Sequence, residues 1–432
     1  MIRKTLDVVI SLIFMVSAFL IPFSKEGSAE EREIVIGSAS DLSGPWAPTA
    51  TGIATGRKAY ARYVNEKLGG INGVKIKIIV VDTAYNIDRE IAAYKKFRDE
   101  DKALFMINQN SGAAYAIELM MEESGRGMPH SHTAEPTAVF RGSKKTWYFA
   151  SQTMPGDSST GLLNYFLENK WKKKEKPRVA LANSDNTPGQ TNGIFLRDYL
   201  QQQKFPIVAD LVIPPRPMDT TSYILNIKQA NPDIIMGLQT DAGWTVMLKD
   251  KKRLDLVAPT IAGCCLDENA LKVLGEAGLG LITTFPAVVW NMVDLPEVRL
   301  VHDLYKEWYP GEMRKENYGF FWGWMQSMIA VEAIKKASNK VGYDGLTKDI
   351  DKGRSIVRDV LEYEMRGFDC HGLTSPLAYT EGDHRAFLRI RVFEVDPRGE
   401  FKFMGWANAS PLRPEQKIAK WWEDAIKGVA KK

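Results

Sequence analysis

The sequence predicts an α/β protein made of two doubly wound parallel-sheet lobes. Three observations support this fold class. Short apolar strands alternate with helical segments, and this alternation restarts near residue 150. The chain has 432 residues, a length greater than a single hydrophobic core usually organises.

The first 29 residues have the features of a cleaved signal peptide. Arg3 and Lys4 give a basic start, an apolar run covers Val8–Phe23, and residues 27–29 are small. The run is shorter than the roughly 20 residues that span a bilayer, so an uncleaved anchor is the less favoured alternative. No cysteine follows the run to carry a lipid. These features predict a free protein in the periplasm of a Gram-negative cell.

The charge of the chain gives no reason to expect a nucleic-acid partner. Lys and Arg together number 57 and Asp and Glu 53, a formal net charge of +4. We interpret the basic stretch 170–176 as a solvated loop and not as a binding patch.

The first series of elements opens with an apolar strand and a polar, glycine-containing loop at Ile34–Trp46, followed by a helix. In α/β folds, the loop that leaves the carboxyl end of a strand is where ligands bind. The spacing then predicts, in order, strand Lys75–Asp82, a helix near Asp88–Asp101, strand Leu104–Asn108, helix Ser111–Ser124 and strand Met128–Thr133. Such alternation implies right-handed βαβ units and a parallel sheet.

The pattern restarts after the strand Tyr148–Gln152 and the polar segment Met154–Ser159. The second series is expected to run through strand Arg178–Asn183, helix Pro188–Gln203, strand Ile207–Ile213, helix Thr221–Ala230, strand Asp233–Leu238, helix Ala242–Arg253 and strand Val257–Gly263.

The remaining elements suggest a return to the first lobe and a short strand-rich end. Ile282–Val289 is interpreted as a second crossing between lobes. An aromatic-rich helix is predicted from Tyr318 to Lys336, and strands near Phe387–Val395 and Phe401–Met404. Residues 340–374 give no interpretable pattern.

The order of these elements resembles the type I periplasmic binding proteins, specifically the branched-chain amino acid (Leu/Ile/Val) binding family. The likeness covers about residues 33–400. Its motifs are Leu42-Ser-Gly-Pro45, Gly69-Gly-Ile-Asn-Gly73, Ser111 at a helix start, Thr133-Ala-Glu-Pro136, Thr220-Thr-Ser222 and Ile227–Asp233. Each motif alone is weak, and their order and spacing carry the resemblance.

This resemblance implies a non-enzymatic clamshell that binds a small solute and then docks on the permease subunits of an ABC transporter. Two lobes joined by three hinge strands would close on the ligand. Lobe I would comprise residues 30–150 and about 286–355, and lobe II residues 151–285 and about 356–432. We expect the protein to be a monomer and to need no cofactor and no metal. The same lobes would also suit a sensor that signals to a membrane receptor, an alternative that the sequence leaves open.

The strongest site candidates in the first lobe lie at Gln109, Asn110 and Ser111. Ser111 begins a helix whose first N–H groups are free to meet a carboxylate or another electron-rich group. By resemblance, Thr133 helps to hold a ligand carboxylate. Trp46 and Thr49 follow the loop that the family places over its ligand, and a tryptophan there could cover an apolar or aromatic body.

In the second lobe, Gln239, Thr240 and Asp241 align with family residues that contact the ligand's amino-acid backbone. Cys265 stands about where amino acid binders have a glutamate that neutralises the ligand's ammonium. A thiol with a pKa of about 8.5 is mostly uncharged at neutral pH. Either Asp241 supplies the missing charge, or the ligand carries no ammonium. We favour the second alternative, in which the ligand is a carboxylic acid or an amide with an apolar body.

The three cysteines are Cys264, Cys265 and Cys370. An odd count in an oxidising compartment leaves at least one thiol free, and a bridge from Cys370 to one of the adjacent pair stays open. The family's common disulfide in the first lobe is missing by resemblance, with Tyr85 and Gln109 near its positions.

An enzyme is the main rival class. His130 and His132 could suggest a metal or a base, but no third ligand stands at a suitable spacing. Two structural or cleft-lining histidines are therefore favoured. The sequence also lacks a nucleophile elbow, a phosphate-binding loop and a dinucleotide fingerprint.

Overall fold

The computed structural model describes residues 32–132, 146–264, 266–312 and 316–409. The chain divides into Met1–Glu33 and Ile34–Lys432, and the second unit carries the helices and the cleft described below. The predicted signal peptide and the candidates Thr133 and Cys265 lie outside the described residues.

The first sheet has five strands in the order β2-β1-β3-β4-β5. They are β1 (Glu33–Ser40), β2 (Lys75–Asp82), β3 (Phe105–Ile107), β4 (His130–His132) and β5 (Tyr148–Ala150). β1, β3, β4 and β5 pair in parallel. The helices along this part of the chain are α1 (Ala47–Lys67), α2 (Ile87–Asp99) and α3 (Ser111–Ser124).

The second sheet has seven strands in the order β12-β11-β10-β9-β8-β6-β7. They are β6 (Val179–Ser184), β7 (Ile207–Ile213), β8 (Ile234–Gly237), β9 (Thr260–Ala262), β10 (Ile282–Thr283), β11 (Arg389–Val395) and β12 (Phe401–Asn408). β6 to β10 are parallel, whereas β11 and β12 join as antiparallel strands. The helices in this part of the chain are α4 (Pro155–Asn169), α5 (Thr187–Gln202), α6 (Thr221–Ala230), α7 (Asp241–Arg253) and α8 (Glu268–Leu274).

Three further helices lie between β10 and β11: α9 (Pro296–Trp308), α10 (Tyr318–Thr347) and α11 (Ile350–Glu364). α10 packs closely along α1, because a Cβ added at Gly323 would lie 1.9 Å from the carbonyl oxygen of Ile53. Only a glycine allows this separation of the two backbones. α10 bends at Gly342, whose φ is 70°. None of the helices in the described ranges is long and apolar enough to cross a membrane.

The predicted fold class is confirmed: two mostly parallel sheets carry helices from βαβ connections. Several element bounds also agree with the sequence prediction, including β2 and α3. No helix was predicted within the polar segment Met154–Ser159, but α4 begins there at Pro155. Residues 340–374, which gave no pattern, contain the end of α10 and all of α11. The division into lobes stays a prediction, and its boundary near residue 355 falls inside α11.

Candidate functional site

The carboxyl ends of strands from both sheets face one cleft. The strand order reverses between β1 and β3 in the first sheet, and between β6 and β8 in the second. In doubly wound sheets, ligands bind outside the carboxyl ends of the strands at such reversals. Residues that follow all four strands line the same cleft. The fold therefore brings two separate ligand-binding positions of the α/β type together.

The described residues that line this cleft are apolar or polar, and none carries a formal charge. They are Trp46, Tyr85, Gln109, Ser111, Gln152, Thr153, Pro155, Ser158, Asn186, Pro188, Leu238, Gln239, Thr240, Gly263, Cys264, Thr284, Phe285 and Pro286. A charged ligand group would find no ion-pair partner among them.

The Trp46 loop is shaped by Asp41, a buried carboxylate that the sequence prediction did not include. Its two oxygens accept hydrogen bonds from the backbone N–H groups of Gly44 and Trp46, both at 2.6 Å. Burial raises the pKa of Asp41, and these two N–H groups oppose the rise. The Trp46 ring stacks on Tyr85 with ring centroids 6.5 Å apart, and meets Trp322 edge-on at 6.1 Å. Trp46 is thus held in a fixed position on the cleft wall.

The turn between β3 and α3 rests on Glu90. One oxygen of this carboxylate accepts from the backbone N–H groups of Gln109 and Asn110, each at 3.1 Å. Burial raises the pKa of Glu90 to about 7. Asn110 does not line the cleft, because its side chain caps α3 through Ala113 at 3.1 Å and donates to the carbonyl of Tyr85 at 2.7 Å. Its place is structural: it fixes both the helix start and the Tyr85 loop.

Ser111, the first residue of α3, is hydrogen-bonded to a histidine. Its Oγ lies 3.1 Å from Nε2 of His132, and Nδ1 of His132 lies 2.8 Å from the carbonyl oxygen of Asn108. Ser111 and His132 are each 2 % exposed, and only Ser111 lines the cleft. Gln109 also lines the cleft, and its Oε1 accepts from the backbone N–H of Asp41 at 3.0 Å. Its Nε2 has no hydrogen-bond partner.

The opposite wall is built at the end of β8. Thr240 caps α7, since its Oγ1 accepts from the N–H of Gly243 at 3.0 Å. Asn183 holds the end of β8 by accepting from the N–H of Leu238 at 3.1 Å. Gln239 is fully buried, and neither its amide nitrogen nor its amide oxygen has a partner. A buried amide with both groups unpaired is costly, so this side chain is suited to bonding a ligand.

Thr49 and Asp241 do not line the cleft and instead bond each other. Thr49 Oγ1, near the start of α1, donates to Asp241 Oδ2, at the start of α7, at 2.9 Å. The second oxygen of Asp241 is buried without a partner. Burial and the nearby Asp267 raise the pKa of Asp241. The hydrogen bond joins residues 192 positions apart and links the helices that follow β1 and β8.

Residues from β10 and the start of α4 complete the cleft. Thr284 follows β10 directly, and its Oγ1 is buried without a partner. In the first turn of α4, Asp157 lies 3.4 Å from Arg385, and burial raises its pKa to about 7. These contributions were not predicted, because Met154–Ser159 was described only as a polar segment and Ile282–Val289 only as a crossing between lobes.

Five of the ten predicted site residues line the cleft together: Trp46, Gln109, Ser111, Gln239 and Thr240. Their role in binding stays a prediction. Cys264 lines the cleft and is disulfide-bonded, whereas Cys370 is a buried free thiol, so these two cysteines do not pair.

The two histidines of β4 have structural surroundings. His130 Nε2 lies 3.1 Å from Glu118 Oε1, and its Nδ1 lies 3.3 Å from Asn108 Nδ2. Within the part of the chain that the structure describes, no cluster of three or more His, Cys, Asp or Glu side chains could hold a metal ion.

A family model described as periplasmic binding protein matches residues 33–400. No curated protein matches the chain by sequence. Among solved structures, an ABC transporter substrate-binding protein from Aeropyrum pernix has a TM-score of 0.75 at 18 % identity, covering 90 % of this chain and 98 % of its own.

Two further solved structures contain ligands. A branched-chain amino acid ABC transporter protein from Thermus thermophilus with bound valine has a TM-score of 0.75 at 18 % identity, covering 89 % of this chain and 99 % of its own. A solute-binding protein of an ABC transporter from R. palustris in complex with 4-hydroxybenzoate has a TM-score of 0.70 at 15 % identity, covering 90 % of this chain and 100 % of its own. At these identities the likeness shows a shared fold.

Proposed function

Because the chain belongs to the periplasmic binding protein family, we propose that it is the solute-binding component of an ABC uptake transporter. It would bind a small organic solute in the cleft between its two sheets and deliver the closed form to the permease subunits. In this role it performs no chemistry, needs no cofactor and acts as a periplasmic monomer.

The observation that carries this proposal is the cleft at which both strand-order reversals meet, whose described lining residues carry no formal charge. A cleft of this kind suits reversible capture, since it offers contact area and hydrogen bonds, and no cluster that could hold a metal ion occurs among the described residues. The bond from Thr49 to Asp241 supports closure, because it exists only where the helices following β1 and β8 are in contact. A ligand that touches both walls would favour this state in the same way.

The charge of the lining favours a solute without an ammonium group. No carboxylate lines the described part of the cleft. Asp241, the counter-charge that the sequence offered, already accepts a hydrogen bond from Thr49, and burial raises its pKa, which favours its protonated, neutral form. Closing an ammonium into a site without a counter-charge costs more than one ordinary hydrogen bond returns.

The body of the solute would be apolar or aromatic. Trp46, Tyr85 and Phe285 contribute aromatic surface to the lining. The two ligand-bearing neighbours show that this fold accepts different solutes, since one contains valine, an amino acid, and the other 4-hydroxybenzoate, an acid without an ammonium. The described lining residues include no carboxylate to pair with an ammonium, which favours a ligand without that group.

A thermal-shift screen of the purified protein tests the proposal. The panel contains amino acids, aromatic acids, short aliphatic acids and their amides. A solute that binds only the folded chain must raise the melting temperature, by an amount that grows with its concentration. The W46A variant serves as the comparison, because it removes the largest aromatic ring of the lining.

We expect at least one ammonium-free solute to raise the melting temperature of the wild type, and to do so less for W46A. Binding of amino acids alone would keep the transport role and contradict the ligand class. No shift with any member of the panel would contradict the solute-binding function itself.

A further inference from the structure

The hydrogen-bond chain behind Ser111 fixes which way its hydroxyl points. The carbonyl oxygen of Asn108 can only accept, so Nδ1 of His132 carries a hydrogen and donates to it at 2.8 Å. In a neutral imidazole the other nitrogen, Nε2, then has no hydrogen and must accept. The Oγ of Ser111 lies 3.1 Å from this nitrogen. The Ser111 hydroxyl therefore donates its only hydrogen to His132.

The surroundings of His132 keep its ring neutral. The side chain is 2 % exposed, and burial lowers its pKa to about 3. The charged or titratable groups that act on it, Arg57 and His130, lower this pKa further. At neutral pH the ring thus has one hydrogen, and the carbonyl of Asn108 determines which nitrogen carries it.

The side chains of Gln109 and Ser111 consequently offer the cleft one donor and one acceptor. Ser111 Oγ has only lone pairs left for a ligand, because its hydrogen is used. Gln109 has the opposite character: its Oε1 is used by the N–H of Asp41, so its unpartnered Nε2 is left to donate. Gln109 is 2 % exposed, which makes this unpaired donor costly without a ligand.

We propose that this donor–acceptor wall recognises an uncharged primary carboxamide in preference to a carboxylate. The amide oxygen would accept from Gln109 Nε2, and the amide N–H would donate to Ser111 Oγ. A carboxylate offers only acceptors and would place an oxygen against the lone pairs of Ser111. Across the cleft, Gln239 has both a free donor and a free acceptor, which also suits an amide. The inference rests on the proposed solute-binding function and identifies the head group of the solute.

Calorimetric titration with two shape-matched pairs tests this assignment: benzamide against benzoate, and isocaproamide against isocaproate. Within a pair only the head group changes, so the ratio of the two dissociation constants reports its recognition. We expect the amide of at least one pair to bind at least about tenfold more tightly than its acid. One favourable polar contact in the amide complex and one unfavourable contact in the acid complex would produce a ratio of this size.

The S111A variant determines whether the serine acts as an acceptor. Without Oγ, the amide should lose about threefold to tenfold in affinity, whereas the acid should lose nothing. S131A is the matched control. Ser131 is equally buried and adjacent to His132 in β4, but its hydroxyl has no partner and does not line the cleft. S131A should leave the amide-to-acid ratio at the wild-type value.

An acid that binds more tightly than its amide, or an acid that is weakened in S111A, would overturn the carboxamide assignment and leave the solute-binding function standing. If neither pair binds but an amino acid does, the assignment also fails. If no solute of the broader panel binds, both proposals fail. A side-chain ¹⁵N spectrum checks the premise separately, since His132 must show hydrogen on Nδ1 and none on Nε2.

Discussion

Replacing Glu90 by glutamine should remove a defined part of the pH dependence of folding stability. Glu90 is fully buried, and its carboxylate accepts from the N–H groups of Gln109 and Asn110 and from the Thr83 hydroxyl. Burial raises its pKa from the ordinary 4.5 to about 7. Glutamine has the shape of the protonated carboxyl group, so E90Q should keep the turn intact and lose only the titration.

The expected magnitude follows from the difference between the two pKa values. Between 4.5 and about 7, the folded chain holds a proton on Glu90 that the unfolded chain has released. The folded state binds more protons in this interval, so the free energy of unfolding falls as the pH rises through it. A shift of one pKa unit corresponds to 1.36 kcal/mol, which gives a contribution of about 3 kcal/mol.

Urea denaturation at several values between about pH 5 and pH 8 measures this contribution. The difference in unfolding free energy between E90Q and the wild type should change by about 3 kcal/mol across that range, in favour of E90Q at the high end. E66Q is the control, because Glu66 is on the surface in an i,i+4 pair with Arg62. Parallel pH profiles of E90Q and the wild type would refute the reasoning.

Three further predictions concern packing, the cleft and the free thiol. G323A should lower the free energy of unfolding in urea by about 3 kcal/mol, because its Cβ would lie 1.9 Å from the Ile53 carbonyl oxygen; unchanged stability would contradict this. W46A should weaken solute binding about tenfold in a calorimetric titration while the circular dichroism spectrum stays that of the wild type, and an equal affinity would exclude Trp46 from the site. Cys370, a free thiol with no exposure, should react with a thiol reagent only after denaturation, and rapid labelling of the native chain at this residue would contradict its burial.

Much of the fold could be predicted because its signals are local. The alternation in β2 and the apolar spacing in α3 gave the bounds that the structure has, and Asn110 supplies the cap just before α3. The start of α4 was missed because its first turn is polar, yet buried against other elements. Such burial depends on tertiary contacts that a single segment does not reveal.

The site could be predicted in part, for the same reason. Trp46, Ser111 and Gln239 lie in the segments that follow strands, so their position near the carboxyl edge could be predicted from the sequence. Glu90 and His132 could not be assigned roles in this way. Their hydrogen-bond partners lie outside their own helix or strand, 7 to 24 residues away along the chain. Asn110 was predicted from the helix start and Asp241 from the resemblance, and the structure places both side chains in hydrogen bonds outside the cleft lining.

The central claim, that the cleft captures a solute without an ammonium group, is tested most directly with three compounds of one carbon skeleton. Calorimetric titration of the wild type with leucine, isocaproate and isocaproamide varies only the ammonium and the head group. The absence of any carboxylate among the described lining residues predicts binding of at least one of the two ammonium-free compounds and none of leucine. Binding of leucine, with neither of the other two detectable, would contradict the claim.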